Sequence, residues 1–191
     1  LWFSTILLGL SPQWWSFKHN LHHISTNEID YDGDIQLFPF IYLWKPQKHQ
    51  DKWNRRFQHI YFTALYSILQ LKWQVDSLLW AWKYKKYDEL AGFAIHWAWY
   101  IFILPWKIWF FGVLIGGTGT AWVVTSNHQA EFKWDSKKQF VNEPKSESKY
   151  KIHDLAAHQI ISTRNIYLDT WFGNWACGGL QYQVEHHLFP R

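Results

Sequence analysis

The chain has 191 residues, a formal charge of +4 and one cysteine, Cys177. That length suits one domain with its own core, and a single thiol excludes an internal disulfide, a zinc ribbon or a thiolate cluster. Sixteen Trp, ten Tyr and fourteen Phe favour a membrane–water boundary, where amphipathic rings keep one edge wet; a soluble aromatic core or a sugar-binding face has no need of the long apolar block at 90–126.

Residues 1–12 read as the end of an apolar helix. Residues 13–56 are polar and aromatic and carry a histidine cluster at 19–23. The stretch 57–82 is apolar but interrupted by His59, Gln70, Lys72, Gln74 and Asp76, so it is expected to lie along an interface, with a short tilted span as the alternative. Leu90 to Ser126 is too long for one crossing and holds Pro105-Trp106-Lys107 at its middle. Two helices of about 17–20 residues joined by a tight turn fit the hydrocarbon thickness. Arg55, Arg56, Lys83, Lys85 and Lys86 precede the block and Lys133, Lys137 and Lys138 follow it, while Lys107 alone sits at the turn. Both basic flanks therefore belong on the cytoplasmic side. A hydrophilic segment at 127–151 and a helix-like tail, broken at Gly178-Gly179, complete the chain. With no methionine anywhere and an abrupt end after Phe189-Pro190, the expectation is a piece truncated at both ends.

Two clusters carry the chemistry. Residues 19–23 read His-Asn-Leu-His-His and 183–187 read Gln-Val-Glu-His-His. On a helix, positions i, i+3 and i+4 share one face within about 100°. His19, His22 and His23 thus converge, as do Gln183, His186 and His187. One such triplet can be a solvated helix face; two, on either side of an apolar block, point to a metal that accepts neutral imidazole, such as iron, zinc, copper or nickel. Glu185 projects from the opposite side and is expected to steady a ring. There is no Glu-x-x-His, which argues against a carboxylate-rich di-iron bundle, and no His-Glu-x-x-His of a zincin. Asp30, Asp32 and Asp34 imitate a calcium loop, but an EF-hand needs glycine and glutamate where Ile35 and Ile41 stand; a headgroup loop or support for the metals remains. His96, inside the apolar block, reads as a neutral histidine bonded between helices, with a functional role as the alternative. His49, His153 and His158 read as surface residues. The lysines of 133–151 read as a solvated face or a docking patch, and the positive charge flanks membrane segments, so no nucleic-acid partner is expected.

At these residues the sequence resembles the membrane fatty acid desaturases, in particular the front-end group fused to cytochrome b5. The likeness runs through Trp14-Trp15 and Lys18-His-Asn-x-His-His23, Thr26-Asn27 and the acidic run to Asp34. It continues at Asn127-His128, Gln159 and Thr163, and ends in Gly178-Gly-Leu-x-Tyr-Gln183-Val-Glu-His-His-Leu-Phe-Pro190. Glutamine in place of the first histidine of the third box is the mark of the front-end group. The resemblance implies an all-α, integral membrane fold with a cytosolic histidine-rich cap, in the endoplasmic reticulum. It makes His19, His22 and His23 the second histidine box, Gln183, His186 and His187 the third, and His128 an additional ligand. Gln183 would coordinate through its carbonyl or hold a water. His59, in a Gln-His-x-Tyr sequence, would line the site. The implied cofactors are two iron ions, with O2 as co-substrate and electrons from cytochrome b5, fused or separate, and its reductase. The implied substrate is a polyunsaturated fatty acyl lipid or acyl-CoA, whose tunnel would include Ile101 and Leu104. The first histidine box and the haem motif of the cytochrome domain are absent, so residues 1–191 correspond to a partial desaturase domain expected to be inactive alone. The rival readings are a sphingolipid long-chain-base desaturase, a di-iron hydroxylase, a zinc-dependent membrane hydrolase and a non-catalytic membrane protein.

Overall fold

A computed structural model describes residues 2–37, 39–43, 51–128, 155–166 and 170–190, and every regular element among them is helical. After one π-helical turn, Ser4–Leu8, come α1 (Pro12–Ile24), a 3-10 turn (Trp53–Phe57), α2 (Gln58–Ser67), α3 (Leu69–Lys83), α4 (Tyr87–Phe102), α5 (Trp106–His128), α6 (Leu155–Ser162), α7 (Trp171–Cys177) and α8 (Gln183–Leu188). The chain divides into two units, Leu1–His19 with Thr63–Ala121, and Asn20–Phe62 with Trp122–Arg191. Lys133, Lys137, Lys138, His49 and His153 lie outside the described residues.

In the first unit, two helix starts share one buried charge. Pro12 occupies the first position of α1, where its missing N–H costs nothing, and Ser11 Oγ accepts from the Trp14 amide at 2.9 Å. The Glu89 carboxylate accepts from Ser11 Oγ and, at 3.3 Å, from the Gln13 amide. Glu89 also sits in the first turn of α4, so one carboxylate meets the positive end of two helices. The π-helical turn packs on α4. Gly9, at φ 63°, leaves the space filled by the His96 ring, and a Cβ there would stand 2.5 Å from His96 Nε2. His96 is fully buried and its Nδ1 lies 2.8 Å from the Ile6 carbonyl. This is the bonded, between-elements histidine expected from the sequence.

The apolar block folds as two helices with a turn at residues 103–105. Pro105 starts α5 by accepting from the Ile108 amide at 2.9 Å. α5 has 23 residues, about 34 Å at 1.5 Å per residue, enough to cross a bilayer. Only 11% of its most apolar window is buried, which separates it from the core helix of a soluble protein. α4, at 16 residues, reaches about 24 Å and would need help at its ends. The stretch 57–82 is two helices, broken at Ile68. Among the described residues Ile101 is 69% exposed and Leu104 is half-buried.

A glycine lets α5 approach the α2–α3 break. A Cβ on Gly117 would lie 2.3 Å from the Ser67 carbonyl oxygen and 3.3 Å from the Gln70 nitrogen, both backbone atoms that cannot swing aside. One on neighbouring Gly116 would meet nothing within 4 Å. Gly117→Ala should therefore destabilise the protein by about 1–3 kcal/mol through overpacking, while Gly116→Ala is neutral or gains up to about 1 kcal/mol of helix propensity. Thermal unfolding of both variants in detergent checks this; a Gly117→Ala protein as stable as Gly116→Ala would refute the close approach.

Candidate metal centre

The second unit is organised around the C-terminal end of α1, whose last carbonyls have no helical partners. Ser25 Oγ donates to the Leu21 carbonyl and Thr26 Oγ1 to that of His22, each at 2.8 Å. Gln159 Nε2, from α6, donates to the His23 carbonyl at 2.6 Å. The chain then turns through Asn27 at φ 60° and Asp30 at φ 72°, a conformation asparagine and aspartate tolerate better than most residues. The buried Asn27 amide donates to the His128 carbonyl at the end of α5 (2.9 Å) and the Ser162 carbonyl at the end of α6 (2.6 Å). Three helix ends are thereby held together by one side chain and its neighbours.

α8 is fixed as firmly. Gly178 and Gly179, at φ 57° and 93°, close α7 and reverse the chain. Asn165 Oδ1 accepts from the Val184 amide at 2.9 Å, capping the start of α8. Asn165 Nδ2 donates to Glu185 at 2.8 Å. Glu185 is exposed and turned to Asn165, so the expectation that it steadies a ring is corrected.

These helix ends bring five imidazoles together. The rings of His22 and His128 lie 4.5 Å apart between centroids, His22 and His187 5.1 Å, His23 and His187 4.1 Å, and His23 and His186 4.8 Å. His22, His128 and His187 can each offer a ligand atom such that all three lie within 4.8 Å of one another. His23 Nε2 is 3.2 Å from His186 Nε2. Gln183, 1% exposed, places Nε2 at 2.8 Å from His128 Nε2, while its Oε1 accepts from Asn127 at 3.3 Å. His19 is on α1 one turn before His22 and His23 and stacks on Trp15, 5.1 Å between centroids. His59 is exposed on α2; its neighbour Gln58 is the residue that bonds the Tyr42 backbone at both amide atoms.

Burial and mutual repulsion lower the pKa of three of these rings, His23, His186 and His187. His23 is lowered to about 4, first by burial and then by His186 and His22. His186 is lowered by burial and by His22. His187 is pushed far below the ordinary range by burial, then by His128, His23, His22 and His186. Neutral rings present lone pairs, and His187 Nε2 is buried without a hydrogen-bond partner among the described residues. Such an atom, aimed among other imidazoles, is what a metal ligand looks like before its ion is added. The donors fit a borderline-soft transition metal.

His22 is anchored from behind. Its Nδ1 lies 3.0 Å from both oxygens of Asp32, a fully buried carboxylate. Asp32 also accepts from the Asn27 amide at 2.7 Å and the Asp34 amide at 2.9 Å. An ionised carboxylate only accepts, so Nδ1 carries the proton and Nε2 is left for a metal. Of the two expectations for the acidic run, the supporting role is what the geometry favours. His158, read as a surface residue, is half-buried and donates from Nε2 to the Thr26 carbonyl at 2.8 Å. No spacing rule marks it.

A family model described as fatty acid desaturase matches residues 1–191. The chain belongs to the fatty acid desaturase family. Over all of its length it is 36% identical to the Delta(6)-fatty-acid desaturase fat-3 of Caenorhabditis elegans, covering 46% of that protein. It is 35% identical, over 96% of its length, to the Delta(5) fatty acid desaturase fat-4 of the same organism, covering 44% of it. Against the sn-1 linoleoyl-lipid 6-desaturase of Synechocystis the identity is 31% over 96% of the chain and 55% of the relative. The chain spans about half the length of the curated relatives it matches. No solved structure matches it. The likeness to front-end desaturases and the all-helical, membrane-integral fold read from the sequence both hold.

Asp32 offers a direct check of the anchoring. Replacing it by Ala removes the acceptor of two buried donors, the Asn27 backbone amide and His22 Nδ1, at about 1–3 kcal/mol each, and that of the part-buried Asp34 amide. Asp32→Ala should lower the unfolding midpoint and raise hydrogen exchange at those two amides. Asp34, 28% exposed and 3.6 Å from His22, should tolerate Ala with little change in either measurement.

Proposed function

We propose that residues 1–191 form part of a front-end fatty acyl desaturase, the part that carries its second and third histidine boxes. Two iron ions would be held by His19, His22, His23, His128, His186 and His187, with Gln183 beside them, and further ligands would come from outside these residues. The reading is carried by one observation: five imidazoles converge in the second unit with a glutamine where a sixth would stand. It draws also on the names of the relatives, Delta(6), Delta(5) and Delta(8) desaturases.

Bound iron with dioxygen supplies the oxidising power needed to remove hydrogen from an unactivated methylene, which no side chain can provide. The chain's own residues hold the geometry. Asp32 keeps the His22 proton on Nδ1, and burial of His22, Gln183 and His187 keeps bulk water from the centre. Gln183 places an amide N–H beside His128 where a histidine would place a ring. The substrate would be a polyunsaturated acyl chain on a lipid or coenzyme A. Electrons would come from cytochrome b5 and its reductase, and the centre would face the cytosol from the endoplasmic reticulum, as the basic residues Arg55, Arg56, Lys83, Lys85 and Lys86 before the apolar helices suggest.

The test is lipid profiling of yeast that expresses the full-length protein and is fed a panel of polyunsaturated acids, with metal analysis of the purified protein. A new cis double bond between an existing one and the carboxyl end, with about two irons per chain, is the expected result. His187→Ala should abolish the product and lower the iron. Zinc at about one per chain with unchanged lipids would replace this reading with a hydrolase; a hydroxylated product would assign a hydroxylase.

A further inference from the structure

Gln159 lies outside both histidine clusters, yet its side chain touches each of them. It is 3% exposed. Its Nε2 donates to the His23 carbonyl at 2.6 Å, and its Oε1 lies 3.0 Å from Thr26 Oγ1 and 2.7 Å from His187 Nδ1. Which way round the amide stands follows from chemistry. A backbone carbonyl can only accept, so the group facing His23 must be the NH2. The group facing His187 is then the carbonyl oxygen, which also only accepts. His187 Nδ1 must therefore carry a proton, and in a neutral ring the lone pair is left on Nε2. That is the nitrogen found buried without a hydrogen-bond partner among the described residues.

We infer that Gln159 is a positioning residue that sets the tautomer and orientation of His187, and locks α8 to the C-terminal end of α1, so that His187 Nε2 is presented to a metal. Asp32 does this for one ring of the 19–23 cluster; Gln159 does it for the 183–187 cluster while gripping the helix that carries the other. Its pattern of donor on one side and acceptor on the other cannot be supplied by a carboxylate or a hydrocarbon. The inference rests on the reading of the site as a metal centre.

The experiment uses the full-length protein loaded with iron and compares wild type, Gln159→Glu and Gln159→Leu. Three quantities are measured: iron per chain, the rate of iron loss to a chelator, and the unfolding midpoint of each metal-free form. Glutamate keeps an acceptor for His187 and loses only the donor to His23, whereas leucine loses both. The Gln159→Leu protein should release iron about 10–100-fold faster than wild type, the usual effect of removing a partner behind a ligand. The Gln159→Glu protein should stay within a few-fold of wild type, and the two metal-free variants should unfold at similar temperatures. Equal iron retention by wild type and Gln159→Leu would overturn the inference. So would equal loss in both variants alongside equal destabilisation of the metal-free forms, because the amide would then be holding helices and not a ring. A wild-type protein without iron would overturn the reading of the site itself, and this inference with it.

Discussion

A helix that ends inside a protein must find acceptors' partners for its last carbonyls, and the second unit is built around doing this for α1. Ser25, Thr26 and Gln159 take the carbonyls of Leu21, His22 and His23 in turn, and Asn27 gathers the terminal carbonyls of α5 and α6. Because two of the α1 carbonyls belong to His22 and His23, satisfying the backbone and aiming the imidazoles are one task. A buried polar network of this kind is costly unless its members are paired, and Asp32, Thr26 and Asn27, all fully enclosed, each make several of these bonds.

The imidazole cluster gains from the same enclosure. Each ring makes protonation of its neighbours harder, and burial adds to the effect, so His23, His186 and His187 are all neutral at physiological pH. A metal arriving there has no protons to displace from these three rings, in contrast to thiolate sites, where binding must release them. Asp32 contributes a buried carboxylate from behind the His22 ring.

Much of this was legible in the sequence, because it depended on period and on punctuation. The i, i+3, i+4 spacing of His19, His22 and His23 survives as one face of α1, and that of Gln183, His186 and His187 as α8. Pro105 divides the apolar block where expected. The supporting groups were less legible. Gln159 follows no spacing rule relative to His187 and was visible only as a matching position in a family resemblance. Asp32 was one of three aspartates with two possible roles, separated only once its oxygens are seen to meet two backbone amides and a ring. Glu185 is next to two histidines in sequence yet bonds Asn165, since adjacent helical positions diverge. His59 and Ile101, expected to line the site and the tunnel, are exposed among the described residues; a type of residue on a helix does not reveal which way the helix is turned.

The carboxylate of Glu89 has a consequence in time. Its bond to Ser11 joins residues 78 positions apart, so the first turn of α1 has no counter-charge while the intervening chain is being made. At about 5–20 residues per second that interval lasts several seconds, during which the start of α1 must stay hydrated or be shielded by the insertion machinery. The start of α1 gains this counter-charge only once Glu89, at the start of α4, has been made.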